Sequence, residues 1–263
     1  MNLTQDTLFE VTKHLDLYSI IHLCQTTNTL MTVCDDDTFW KNQYMRYFRF
    51  SGMLKYKTSW QQLVILCYRL GVLFAQLLLV DVYDYGSNQL ISKYYNATEL
   101  FVNRNTSFSS LPHDILLLQN LKHLDIGKLS LTMITPVEQL YGLNVLDSYH
   151  NHIKILPDNI GQLQQLTTLR LPFNQIETLP ESFGQLKQLT VLDLSHNHIH
   201  HFPDILYTLT QLIHLNLSFN HLTKVSNKIN VLTHLNYLNL SHNRIKNFPT
   251  IYLPVFNLYV HNQ

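Results

Sequence analysis

The leucines from residue 121 onward recur at a spacing that few folds can accommodate. Counted from Leu121, the first leucine of the pattern returns at Leu143, Leu166, Leu189, Leu212 and Leu235, one step of 22 residues followed by steps of 23. A period of this size marks a chain of stacked units, each too small to bury its apolar face alone.

Within a unit the pattern is L-x-x-L-x-L-x-x-N-x-I/L, as in Leu189, Leu192, Leu194, Asn197 and Ile199. The same slots hold Leu166, Leu169, Leu171, Asn174 and Ile176, then Leu212, Leu215, Leu217, Asn220 and Leu222, then Leu235, Leu238, Leu240, Asn243 and Ile245. In an extended segment alternate side chains point to opposite faces, so the leucines of x-x-L-x-L turn inward and their neighbours face solvent. Strands from successive units then stack in parallel. The asparagine falls where the chain leaves the strand and backbone groups lose their ladder partners. A short amide can bond to those groups, and stacked amides form a ladder of their own. A proline after the next apolar residue, as in Leu156-Pro157 and Leu179-Pro180, holds the chain extended before the x-x-I/F-x-x-L return segment.

These phrases resemble the leucine-rich repeats of the intracellular "typical" class. The resemblance implies an α/β fold, a leucine-rich-repeat solenoid with parallel strands on its concave face. It covers residues 98–263, about six repeats with partial ones at both ends. The first, degenerate copy reads Leu100, Val102, Asn105, Phe108 and Leu111-Pro112. At the far end Leu258 opens another copy. There the leucine core is expected to be poorly covered, to meet a partner, or to end with a truncated reading frame.

Residues 1–48 read differently. Leu8, Val11 and Leu15 follow a possible N-cap at Thr4, Ile20 and Leu23 follow Asp16, and Asp35-Asp36-Asp37 precede a segment bearing Trp40 and Tyr44. The spacing predicts four short helices. The phrases Leu8-Phe9-Glu10-Val11, Leu23-Cys24-Gln25-Thr26 and Asp36-Asp37-Thr38-Phe39-Trp40 resemble an F-box, and are similar to F-box heads in large DNA viruses of amoebae. The usual Leu-Pro opening reads Leu3-Thr4 here. The resemblance implies a small all-α F-box-like domain that binds the Skp-type adaptor of a cullin-RING ubiquitin ligase through Leu8, Val11, Leu15, Ile20 and Leu23. It also implies a cytoplasmic site of action, in host cytoplasm if the chain is viral.

Residues 49–97 form the bridge. Ser59-Trp60-Gln61-Gln62 has capping-box spacing, and Trp60, Leu63, Val64, Cys67 and Tyr68 continue at helical intervals to Gly71. The apolar run 63–80 carries Arg69 and Gln76 and is split by Gly71, which argues against a membrane span. The bridge is expected to cap the solenoid.

The inner surface supplies the candidate target-binding residues. Just before the asparagine lie Lys128, His150, Phe173, His196, Phe219 and His242. Between the strand leucines lie Asp125, Asp147, Arg170, Asp193, Asn216 and Asn239, and one step earlier His123, Val145, Thr168, Val191, His214 and Tyr237. Read as solvent-facing strand positions, Asp147, His150, Arg170, Phe173, Asp193, His196, Asn216, Phe219, Asn239 and His242 form a face suited to protein recognition, where aromatics anchor contacts. Lys+Arg and Asp+Glu both number 18, so no basic stripe calls for nucleic acid.

Fifteen histidines raise the question of metal. His196 and His242 lie two strands apart with Phe219 between them, too far for a shared ion held at about 2 Å. No nucleophile elbow, phosphate loop or zincin motif is present, and Ser195 fills an ordinary repeat slot beside Asp193 and His196, so neither an enzyme nor a cofactor is expected. Three cysteines without a C-x-x-C pair suggest a reducing compartment. Asn-x-Ser/Thr triplets at Asn216 and Asn239 would matter only for a secreted receptor, the less favoured class. The leading expectation is a ligase substrate receptor; the alternative is a binding scaffold whose head is only a cap.

Overall fold

The structure, a computed structural model, describes residues 40–42, 69, 97–102, 109–253 and 257–260. The chain divides into two compact units, Met1–Tyr95 and Asn96–Gln263. In the first unit residues 40–42 and 69 are helical, and Trp40 is fully buried. The predicted F-box contacts Leu8, Val11, Leu15, Ile20 and Leu23 lie outside the described residues, as do Asn105 and Phe108 of the first repeat. Among the described residues no helix is long and apolar enough to cross a membrane.

The second unit is built on one parallel sheet in sequence order: β1 (Glu99–Phe101), β2 (His123–Asp125), β3 (Val145–Asp147), β4 (Thr168–Arg170), β5 (Val191–Asp193), β6 (His214–Asn216), β7 (Tyr237–Asn239) and β8 (Asn257–Tyr259). Each strand is three residues long, and its central leucine pairs in register with the next: Leu100 with Leu124, Leu146 with Leu169, Leu192 with Leu215, Leu238 with Leu258. From Leu124 to Leu238 these central residues are fully buried. Each such leucine contributes about 1.5–3 kcal/mol on leaving water, which is how so short a strand holds its register.

Between strands the chain returns through a 3-10 helix: η1 (His113–Leu117), η2 (Val137–Gln139), η3 (Ile160–Gln162), η4 (Glu181–Gln185), η5 (Asp204–Thr208) and η6 (Asn227–Val231). Each turns one apolar residue inward, Ile115, Val137, Ile160, Phe183, Leu206 and Ile229, all fully buried. Prolines 112, 136, 180 and 203 occupy the position just before four of these helices. A leucine closes every one, and its N–H bonds back to the inward residue's carbonyl. The layer is thin because a 3-10 turn rises about 2.0 Å per residue and presents only one side chain to the core.

The asparagine ladder lies between sheet and return segment. Asn197 Oδ1 accepts the Ile176 N–H at 2.9 Å, and its Nδ2 donates to the carbonyls of Leu171 and Leu194 at 3.0 and 3.1 Å. Asn174, Asn220 and Asn243 repeat this pattern one unit away each. Three carbonyls in the ladder are therefore shared: Leu171 O is held by Asn174 and Asn197, Leu194 O by Asn197 and Asn220, and Leu217 O by Asn220 and Asn243. Asn151 differs because Leu129 occupies the asparagine slot of the preceding unit. Its Oδ1 accepts from both Leu129 and Leu131, and its Nδ2 donates to Ile126 O and to Ser148 Oγ, a fully buried serine in a slot that holds leucine in the later units.

Candidate functional site

The first and third residues of every strand face away from the leucine core, and they make the open face of the sheet. Much of that face is already engaged. Asp147, read from sequence as a contact residue, is only 8% exposed. Its carboxylate accepts from Arg170 Nη1 at 3.0 and 3.3 Å, and His123 Nε2 lies 3.0 Å away. Arg170 extends past it and is half exposed.

Asp193, Asn216 and Asn239 turn inward on their own backbone. Asp193 Oδ1 accepts from the Ser195 N–H and hydroxyl at 2.9 and 2.7 Å. Asn216 does the same with Ser218, and Asn239 with Ser241. Such side-chain turns close the strand end locally. Asn216 also donates to Asp193 Oδ2, so the column is linked sideways. The signal was in the sequence, since Asp-Leu-Ser and Asn-Leu-Ser recur at positions 193, 216 and 239. The same bonds account for the Asn-x-Ser triplets, and they leave the buried Ser195 hydroxyl donating to Asp193 rather than to His196. Among the described residues no three His, Cys, Asp or Glu side chains converge as a metal would require.

The largest departure from the sequence reading is the column before the asparagine. His150, Phe173, His196, Phe219 and His242 are not in the strands, which end three residues earlier. All five, and Lys128 with them, sit at φ between 52 and 61°, in the left-handed region. That conformation costs a residue with a Cβ roughly 1–2 kcal/mol. It turns the chain from the strand toward the asparagine, while the N–H groups continue the inter-unit ladder: Phe173 N donates to Ser195 O, His196 N to Ser218 O, Phe219 N to Ser241 O.

The rings offset part of the strain by stacking on one another. Centroids are 4.1 Å apart for His150 and Phe173, 4.0 Å for Phe173 and His196, 4.0 Å for His196 and Phe219, and 3.9 Å for Phe219 and His242, with planes within 13°. Each aromatic pair contributes about 0.5–1.5 kcal/mol beyond its buried area. Five rings form one column along the turns, with a neutral Phe between successive histidines. On the strand face His214 and Tyr237 stack at 4.0 Å as a shorter second column.

Burial lowers the pKa of His196; the charge of Asp193 opposes that shift, and His150 and His242 reinforce it. His214 is lowered by burial, with Asp193 opposing and Arg170 adding to it. His221 is lowered by burial and by Arg244, His200 and His198. All three shifts disfavour the charged imidazole.

Residues 132–247 match the sequence profile of a leucine-rich repeat region. This stretch is a leucine-rich repeat region. A leucine-rich repeat protein of Leptospira interrogans is 33% identical over 63% of this chain and 43% of its own, with a TM-score of 0.60. An internalin of Listeria monocytogenes is 27% identical over 63% of this chain and 47% of its own, at 0.55. A chain of the LRIM1/APL1C complex is 27% identical over 53% of this chain and 27% of its own, at 0.50. This chain thus spans less than half the length of each. No curated protein matches the sequence. The repeat region, then, is a solenoid whose strands, asparagines and return helices serve stacking, with two columns of side chains left facing outward.

Proposed function

We propose that this chain is a protein-interaction scaffold that holds a partner against the open face of its repeat sheet. The reading rests on the outward strand positions: successive units set His214 and Tyr237 side by side on adjacent strands, and the buried Asp147 holds the half-exposed Arg170 beside it. Such a face offers aromatic anchors and a charge pattern partly held by hydrogen bonds within the sheet, which reduces the side-chain freedom lost on binding. A chain of a two-protein complex among the similar structures is in keeping with it. The test is affinity capture with the intact chain and with a Tyr237→Ala/Arg170→Glu variant of matched circular dichroism. Partners retained by the former and lost by the latter support sheet-face recognition; identical recovery by both refutes it.

A finer reading makes the scaffold the substrate receptor of a cullin-RING ligase, acting in the cytoplasm. It is carried by the F-box-like phrases of residues 3–45 and by nothing in the repeats. Recovery of a purified Skp-type adaptor by the intact chain, and its loss in Val11→Asp and Leu15→Asp, is the expected result. No recovery by the intact chain removes the ligase role and leaves the scaffold reading in place.

A further inference from the structure

Beside the stacked column runs a second one on the same turns, two residues on: His152, Gln175, His198, His221 and Arg244. Over the last three of these turns a shallow groove of about 510 Å3 opens, lined by His196, His198, Phe219, His221, His242 and Arg244 together with the ladder asparagines. No carboxylate lines it. Among the described residues the exposed Arg244 guanidinium has no acidic partner, and His198 and His242 are likewise exposed. The groove walls therefore carry guanidinium N–H donors and imidazole nitrogens, each imidazole offering one N–H when neutral and two when protonated, interrupted by the edge of Phe219, which is 42% exposed.

Donor-rich aromatic surfaces also serve nucleic acids, where bases stack on free ring faces. Here the faces of Phe173, His196 and Phe219 are already taken on both sides by their neighbours at 3.9–4.1 Å. What Phe173, His196 and Phe219 present to solvent is ring edges, and those of phenylalanine carry the positive end of the aromatic quadrupole. Edges and N–H donors without an acid match carboxylate oxygens, and charge-assisted bonds to a guanidinium are the strongest of these.

We propose that this groove on the turn flank of the repeat region is a second binding surface, and that its ligand is an acidic segment of a partner protein, whose carboxylates are held by Arg244 and the histidines around it. The groove is open and follows three successive turns, which suits an extended peptide rather than an enclosed small molecule. This goes beyond recognition by the sheet face, and either surface can fail alone.

The arrangement also carries a pH dependence. His196 is faced by Asp193, His150 and His242; His221 is faced by Arg244, His200 and His198. As pH falls the imidazoles gain charge next to Arg244, and the intervening Phe rings keep the charges of the stacked column apart. Carboxylate binding should tighten until the carboxylates themselves protonate.

Fluorescence anisotropy of a labelled hexaglutamate peptide, titrated with the full chain at about pH 5 and about pH 8, tests this. Binding about tenfold tighter at the lower pH is expected, with a loss of about fivefold or more at both values in Arg244→Gln. A flattened pH response in His196→Ala/His221→Ala, no effect of Lys187→Gln on the return side, and no binding of hexalysine complete the pattern. Absence of hexaglutamate binding at both pH values overturns the proposal. So does equal binding by Arg244→Gln, or tighter binding of a single-stranded thymidine hexamer than of the peptide. Circular dichroism checks each variant; should the double histidine variant lose its fold, the exposed Arg244→Gln decides alone.

Discussion

Removing one amide from the middle of the ladder isolates what the asparagines contribute. In Asn197→Ala the Ile176 N–H, buried in the repeat core, loses its acceptor, while the carbonyls of Leu171 and Leu194 each keep a bond, from Asn174 and Asn220 respectively. An orphaned buried donor costs about 1–3 kcal/mol, and each shared bond lost from a carbonyl that remains satisfied adds about 0.5 kcal/mol, for a total near 3 kcal/mol. Asn197→Asp restores the acceptor but aims a carboxylate oxygen at two carbonyls, so at pH 7 it should be at least as damaging. Urea unfolding of the whole chain reads the stability change, and hydrogen exchange at Ile176 localises it. A change below about 1 kcal/mol, with Ile176 as protected as before, would show that the ladder fills space without holding the turns.

Two further outcomes follow from packing and titration. A Cβ added at Gly161 would land on the backbone carbonyl of Ser182, whereas one at Gly184 meets the movable end of Ile205. Gly161→Ala should therefore destabilise by about 2 kcal/mol more than Gly184→Ala in thermal unfolding; equal effects would mean that the return helices can slide apart. Because the folded values of His196, His214 and His221 lie below the ordinary 6.5, the unfolded chain binds more protons in the window beneath it. Stability should be full above pH 6.5 and decline as pH falls through the lowered values, and a flat profile from pH 7 down to about pH 5 would contradict the burial of these rings.

The solenoid was legible because its determinants are local and periodic. Leu192 turns inward from the centre of a three-residue strand, and Asn197 bonds the Leu194 and Ser195 carbonyls where the chain leaves that strand, both within one copy of the pattern. What was missed involves conformation that residue type does not announce. Histidine and phenylalanine are ordinary strand residues, and nothing in Phe173 or His196 signals a positive φ of 56 or 52°. Only their position, one before an asparagine whose side chain must reach the core, imposes it. Ser148 in a leucine slot could be seen in the sequence, but not that it would receive a bond from Asn151. The strand-end acids were legible in principle, since Asp193 and Ser195 stand at the spacing of a side-chain turn.

Because the Leu171, Leu194 and Leu217 carbonyls of the amide spine are each gripped from both sides, a gap in one copy leaves these oxygens a bond from a flanking copy. An isolated replacement orphans one buried N–H, while two in adjacent copies also strip the same oxygen of both its amide bonds. Drift in this molecule is thus discouraged more strongly from altering neighbouring rungs together than from altering one, and copies as irregular as the one around Leu129 can persist next to regular ones without unravelling the stack.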